Sequence, residues 1–208
     1  MEVHPPEHPV HTWRDFATHL IIVTIGLFIA LMLEALVEHI HHVHIVREAR
    51  ENIRRELEDN HHAAQQDLGY LQDNISRVKA NIATLQQMRS QPHLHGSLVN
   101  QMSFNSMSES AWHTARDTGA LAYMPYDEVQ RYSDIYTDAE SVNKHADDAA
   151  ESEFSALAPT EMGYDMEALP PEEIVAMLRG NAQTEIDLVT EQQFVQQLDT
   201  DMLAALKK

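Results

Sequence analysis

The chain has 208 residues, no cysteine and a formal net charge of −19. This length accommodates one membrane segment plus one domain of about 100–150 residues, and the absence of cysteine excludes disulfides, zinc–thiolate sites and iron–sulfur clusters. Only six glycines and eight prolines favour an all-α fold. Residues 104–208 carry 21 acidic and 6 basic side chains, a balance that repels nucleic acid.

The N-terminus combines a His/Pro-rich arm, residues 1–16, with a strongly apolar run. From Leu20 to Val37, eighteen residues contain one ionisable side chain, Glu34. At 1.5 Å per residue the run spans roughly 27 Å, close to the ~30 Å of a bilayer's hydrocarbon core. We therefore predict a transmembrane helix over residues 17–38. Because the arm lacks a basic n-region, we expect an uncleaved anchor rather than a signal peptide.

The C-terminal end of this run concentrates the residues that could carry function. Burial of the Glu34 carboxylate in a bilayer costs about 2.5–3.5 kcal/mol on insertion scales, so it is an intramembrane functional candidate; the alternative is that Glu34, in the last turns of the run, lies at the membrane interface. Imidazoles and a carboxylate follow it closely, and they are candidate zinc or copper ligands: Glu38, His39, His41, His42 and His44. The alternative is that these histidines are polar residues of the membrane interface, some of them sensitive to pH.

Residues 39–90 predict a stalk helix that continues the membrane helix outward, since no proline and only Gly69 interrupt the stretch from Glu38 to Met88. Its apolar positions approach a heptad seam: Ile45, Ala49, Ile53, Leu57, Ala64, Leu68, Leu71, Ile75, Val78, Ile82 and Leu85. The seam must be buried either against copies of itself or against later helices of the chain. The polar stretch Asn60–His62 predicts a wetter layer or a bend.

Residues 97–208 predict an acidic helical bundle that packs on the stalk. The segment Ser90–Ser97 contains Pro, Gly and Ser and predicts a chain reversal. Three helices should follow: one through Ala111–Ala122, one over Tyr126–Leu157 that ends at Pro159 and Gly163, and one from Pro170 and Pro171 to Leu206.

No sequence motif indicates catalysis. Six scattered glycines form neither a dinucleotide-binding nor a P-loop fingerprint, and no serine lies in a nucleophile elbow. We therefore predict no enzymatic activity and no cofactor.

Two stretches, Ile22–His39 and Ala111–Tyr136, resemble a family of uncharacterised bacterial single-pass membrane proteins. The resemblance implies an N-terminal span, a C-terminal helical domain and no assigned activity. The second stretch is also the richest in aromatic residues. Its packing or recognition candidates are Trp112, Gly119, Tyr126, Tyr132 and Tyr136. Gly119 should end a helix or admit a close helix crossing.

The orientation of the span is predicted in two opposite ways. Four arginines follow the span, Arg47, Arg50, Arg54 and Arg55, whereas only Arg14 precedes it, so the positive-inside rule places the bundle in the cytoplasm. The resemblance implies the other side, since family members often carry a basic segment before the span.

The leading functional hypothesis is a non-enzymatic, membrane-anchored scaffold or accessory subunit in a bacterial inner membrane. It would oligomerise or dock a partner complex through its span and stalk. One alternative is a component of a proton or ion pathway that uses Glu34 and the cluster from His39 to His44. The other is zinc or copper binding by the histidines. The expected partners are the lipid bilayer and either further copies of the chain or a larger membrane complex.

Overall fold

The computed structural model describes residues 13–91, 96–162 and 169–207, and all regular elements in these ranges are helical. Helix α1 covers Trp13–Ser90, α2 Ser110–Asp117, α3 Tyr126–Glu161 and α4 Pro171–Leu206, with a short 3-10 helix, Ala120–Tyr123, between α2 and α3. The all-α prediction is confirmed. Residues 1–12 of the predicted arm, 92–95 of the predicted reversal and Gly163 lie outside the described residues.

Helix α1 unites the predicted membrane helix and stalk in one uninterrupted element of 78 residues. It begins at Trp13, so residues 13–16, predicted as part of the arm, are helical; no proline lies between Pro9 and the end of α1 at Ser90 to interrupt the helix. The helix also continues without a break through Asn60–His62. Because Asn60 is buried and His62 exposed, this stretch is one more turn against the bundle rather than a hinge.

Three long helices form the bundle. Helix α4 runs antiparallel to α1, since Lys79 pairs with Glu185 whereas the earlier His61 pairs with the later Asp199. Helix α3 runs parallel to α1, since Glu128 pairs with Arg50 and the later Tyr136 bonds to the later Glu56. Helix α4 packs closely along both of the others.

The later part of the chain covers the heptad seam of α1 from Val46 onward. Its apolar members lie in the same cores as residues of α3 and α4. The fully or almost fully buried positions of the seam are Ile53, Leu57, Ala64, Leu71, Val78 and Leu85. Of the two ways to bury the seam, the structure therefore shows the intramolecular one.

Two predicted helix ends differ from the structure in instructive ways. Helix α2 stops at Asp117, and Gly119 adopts a left-handed φ of 76°, which supports its predicted role as a helix terminator. Helix α3 continues past Leu157 and through Pro159 to Glu161, so Pro159 does not end it. The side chain of Pro159 is buried in the last turn, and this burial offsets the one hydrogen bond that proline removes there.

Candidate functional site

The N-terminal part of α1 stands apart from the bundle; we call its apolar run, Leu20–Val37, the apolar segment. An 18-residue window of it has a mean hydropathy of 2.7, and none of that window is buried. It is therefore long and apolar enough to cross a membrane, and it forms no part of the bundle core. Glu34 is exposed within this segment. At about 100° per residue, Glu34 points away from Val43 to the opposite side of the helix.

A cleft lies where the bundle begins, directly after the apolar segment. We call it the base cleft; its volume is about 790 Å³. Its polar lining is His39, His42, Arg47, Arg50 and Glu51, and its apolar lining is Val43, Val46, Tyr123 and Pro125.

Local backbone conformation positions the wall of the base cleft that faces α1. The left-handed Gly119 reverses the chain after α2, and Pro125 with φ −58° starts α3. The intervening 3-10 helix directs Tyr123 onto α1. The Tyr123 ring stacks on the His42 ring with 3.6 Å between centroids and 18° between planes. This stack fastens the start of the bundle to the end of the apolar segment.

Two arginines of the cleft differ in how firmly they are held. Arg50 makes a bidentate pair with Glu128, with Nε–Oε1 and Nη2–Oε2 distances of 2.7 and 2.6 Å. Arg47 donates from Nε to Glu51 Oε1 at 2.8 Å, four residues along the same helix, and both side chains are exposed. The hydrogen bond from Arg47 is the main cause of a lowered pKa of Glu51.

Within one chain, the predicted zinc or copper ligands do not lie close together. His39 and His42 line the base cleft, whereas His41 and His44 are exposed and do not line it. Glu38 lies near His42, with 3.9 Å between Oε1 and Nε2. Among the described residues, no group of three or more potential ligands is close enough to hold a metal ion.

The aromatic candidates separate into interior and surface residues. Trp112 stacks on the buried Tyr136 with 5.4 Å between ring centroids, and the Tyr136 hydroxyl donates to Glu56 Oε1 at 2.8 Å. Burial and this hydrogen bond raise the pKa of Tyr136, so its hydroxyl stays a donor. Tyr132 is half-buried beside Glu128. Tyr126, by contrast, is 82% exposed at the start of α3, near the base cleft.

The largest feature that sequence reasoning missed is a polar ladder on α1. Asn60, Asp67, Asn74 and Asn81 follow one another at intervals of seven residues, and all four are buried. They bind the backbone of residues 96–109, which we call the clamped segment. Asn81, for example, donates from Nδ2 to the Val99 carbonyl at 3.0 Å and accepts from the Val99 N–H at 2.9 Å.

The other rungs of the ladder repeat this arrangement. Asn60 exchanges two such bonds with Ser108 at 2.7 and 2.8 Å. Asp67 accepts from the Asn105 N–H at 2.7 Å. From the other side, Asn143 of α3 brackets Met107 with bonds of 2.8 and 2.9 Å. The clamped segment therefore lies between α1 and α3 and joins them. The heptad spacing of these polar residues was the signal that could have revealed it.

Three carboxyl groups are buried in the bundle with at least one oxygen that lacks a hydrogen-bond partner in the described part of the chain: Asp67, Glu153 and Glu191. Burial raises the pKa of Asp67 to about 6, of Glu153 to about 7 and of Glu191 to about 8. The neighbouring charge of Asp67 contributes to the shift of Glu191. Between pH 5 and 8 these groups change their charge inside the core.

One histidine–carboxylate pair also bridges helices. His61 Nδ1 of α1 lies 2.5 Å from Asp199 Oδ1 of α4, and Gln65 donates to the other oxygen of Asp199 at 3.3 Å. These contacts hold α4 against the stalk.

No protein-family model, curated protein or solved structure matches this chain.

Proposed function

We propose that the chain is a membrane-anchored, non-enzymatic scaffold or accessory subunit of a bacterial inner membrane. In this proposal the apolar segment of α1 spans the bilayer and docks onto a larger membrane complex or onto further copies. The observation that carries the proposal is that this segment, with none of its apolar window buried, is continuous with the helix that forms one wall of the bundle. A rigid helix of this kind fixes the bundle relative to whatever the span binds.

The surfaces left free by the fold support docking through the span. The bundle already occupies the heptad seam of α1, so a coiled coil through that seam would require the bundle to open. Between Leu20 and Val37, Glu34 is the one carboxylate, and an unpaired carboxylate at this depth costs about 2.5–3.5 kcal/mol. A partner helix that hydrogen-bonds or ion-pairs with Glu34 removes much of this cost.

The polar interior supports a structural role rather than a catalytic one. Glu56 accepts hydrogen bonds from the Ala111 N–H, the Ser108 hydroxyl and the Tyr136 hydroxyl. The ladder of α1 is likewise engaged with backbone groups of the clamped segment. These groups hold the chain together, and buried polar groups that are bonded in this way specify one packing arrangement.

The scaffold proposal is tested on the full chain extracted in mild detergent. Native mass spectrometry and identification of co-purifying proteins should show an assembly heavier than one chain. Glu34→Gln should reduce that assembly, because the amide cannot form an ion pair. Glu58→Gln, which changes an exposed carboxylate of the same helix outside the span, is the matched control. A lone monomer without partners in the wild type would contradict the proposal.

A second candidate, a proton or ion pathway, is favoured by one specific alignment. Glu34, Glu38 and His41 are spaced by four and three residues, so they lie in a row on one face of α1 that leads out of the apolar segment. Such a row can pass a proton between titratable groups. Flux in liposomes that Glu34→Gln abolishes would establish it, and flux that is absent from the wild type would exclude it.

The side of the membrane on which the bundle lies is tested separately. Protease added to intact spheroplasts should remove the bundle only if it lies outside the cytoplasm. Protection from protease would agree with the positive-inside rule and with the arginines that follow the span.

A further inference from the structure

The base cleft has the position and the lining of a lipid site. We propose that it binds the headgroup of a zwitterionic phospholipid, with the lipid phosphate on Arg47 and the lipid ammonium group on Glu51. The proposal rests on the membrane anchoring proposed above. It adds a ligand and a site to that function.

The cleft along α1 begins at the headgroup layer and extends outward from it. On the cleft face of the helix, exposed apolar side chains continue from Met32 and Leu36 to Val43, which is 55% exposed. Arg47 follows Val43 by four residues, or about 6 Å along the helix axis. The polar layer on each side of a bilayer is about 5–8 Å thick. Counted from Val37, the last residue of the apolar run, Val43 lies about 9 Å and Arg47 about 15 Å farther along the axis. Because helical side chains lean toward the N-terminus, the long Arg47 side chain extends back toward the outer edge of the polar layer, while an acyl chain can lie along Leu36 toward Val43.

The charges of the cleft suit a zwitterion better than an anion. Arg47 and Arg50 are balanced by Glu51 and Glu128, and the whole chain carries −19. The negative charge of the chain would repel a lipid with a net negative charge. The cleft has no excess of cations that could offset this repulsion. A headgroup with both charges can instead pair its phosphate with an arginine and its ammonium with a carboxylate.

Arg47 and Glu51 are free to change partners, whereas Arg50 is not. The Arg47–Glu51 pair has the i, i+4 spacing and is exposed at both ends, and exposed pairs of this kind contribute little to stability because water and salt screen them. Guanidinium bonds to phosphate are bidentate and stronger than an exposed pair of this kind. Arg50 remains fixed by its two bonds to Glu128, which keep the bundle against α1.

The aromatic wall completes the site. Tyr123 is half exposed and stacks on His42, so it presents a ring with a polar tip at the level of the cleft. Tyrosine is enriched at membrane–water interfaces because its ring is apolar and its hydroxyl is hydrated. Together the wall and the apolar floor made by Val43 and Val46 enclose a lipid glycerol region on two sides.

The test measures lipid retained on the full chain in detergent micelles by native mass spectrometry. The probes are phosphatidylethanolamine, phosphatidylglycerol and diacylglycerol. Phosphatidylethanolamine should bind most tightly, and Arg47→Gln should weaken it about tenfold, the loss of one charge-assisted interaction. Arg54→Gln is the matched control, because Arg54 makes the same kind of exposed pair with Glu58 seven residues farther along α1, outside the cleft.

Three results would overturn the lipid site. They are equal retention by the Arg47→Gln and Arg54→Gln variants, binding of phosphatidylglycerol as tight as that of phosphatidylethanolamine, or displacement of the lipid by equimolar soluble phosphoethanolamine. An alkaline carbonate wash of membranes separates this proposal from the anchoring on which it rests. Wild-type chain released by the wash refutes the anchoring, whereas a retained chain with any of the three results refutes the lipid site alone.

Discussion

Buried carboxyl groups give single residues of the bundle a large influence on stability. Asp67, Glu153 and Glu191 titrate near 4 in an unfolded chain, but burial raises the pKa of each in the folded protein. The folded state therefore binds more protons than the unfolded state between about pH 5 and 8. Their contribution to stability is fully present below the unfolded pKa, near 4, and is lost as the pH rises through the folded pKa values.

The pH prediction concerns Glu191, whose pKa is raised to about 8. The thermal midpoint of the full chain should fall between pH 5.5 and pH 8.5. Glu191→Gln should flatten this dependence and raise the midpoint at pH 8.5, because the cost of a buried charge, on the order of 4 kcal/mol, is removed. Glu151→Gln alters an exposed acid of α3 and should change nothing. A midpoint that rises with pH in the wild type would contradict this account.

The ladder prediction concerns Asn74. Asn74→Ala removes a 2.9 Å bond to the Ser103 carbonyl and leaves that backbone without its partner, so it should cost about 1–3 kcal/mol of unfolding free energy. Hydrogen exchange at residues 99–108 should accelerate with it. Asn100→Ala, an exposed position on the clamped segment itself, is the comparison. Equal effects of the two variants would show that the ladder does not hold the segment.

At the scale of elements, the hydrophobic period predicted the helices, whereas the only sequence signal for the clamped segment was the polar heptad spacing of Asn60, Asp67, Asn74 and Asn81. Apolar residues recur with helical period along α1, α3 and α4, and that pattern fixes which faces pack. The clamped segment is held by side-chain amides on backbone groups, and no hydrophobic period records such contacts. The burial of Glu153 and Glu191 was missed for a related reason. Acidic residues are rarely buried, and the sequence does not distinguish a buried one from an exposed one.

Replacement of two glycines by alanine should change the stability of the helices in opposite directions. A Cβ atom on Gly180 would lie 2.6 Å from the Ala156 Cβ and 2.7 Å from its Cα, so α3 and α4 would have to separate. Gly180→Ala should therefore destabilise the bundle by about 1–3 kcal/mol, despite alanine's better helix propensity. A Cβ on Gly69 meets nothing within 4 Å.

Gly69→Ala should consequently stabilise the chain by up to about 1 kcal/mol, because alanine loses less backbone entropy in a helix interior. Denaturant unfolding of both variants provides the comparison. Stabilisation by Gly180→Ala would refute the close crossing of α3 and α4.

At the scale of the whole molecule, the apolar segment and one wall of the bundle belong to the same helix, α1. The sequence predicted this continuity, because no proline and few glycines interrupt Trp13–Ser90. The base cleft was not predictable, since it requires Tyr123, from a distant part of the chain, to stack on His42. The sequence pointed to His42 as a possible metal ligand because of its imidazole. Its position in a wall of the cleft is evident only from the structure.

Docking through the span is the central claim, and one replacement tests it most directly. Leu20–Val37 is exchanged for eighteen alternating leucines and alanines, which keep the length and apolar character but remove Glu34 and the native surface. Native mass spectrometry then compares the two proteins after extraction from membranes. We predict that both remain membrane-bound and folded, and that only the native span gives the larger assembly. Identical assemblies, or two monomers, would contradict the account.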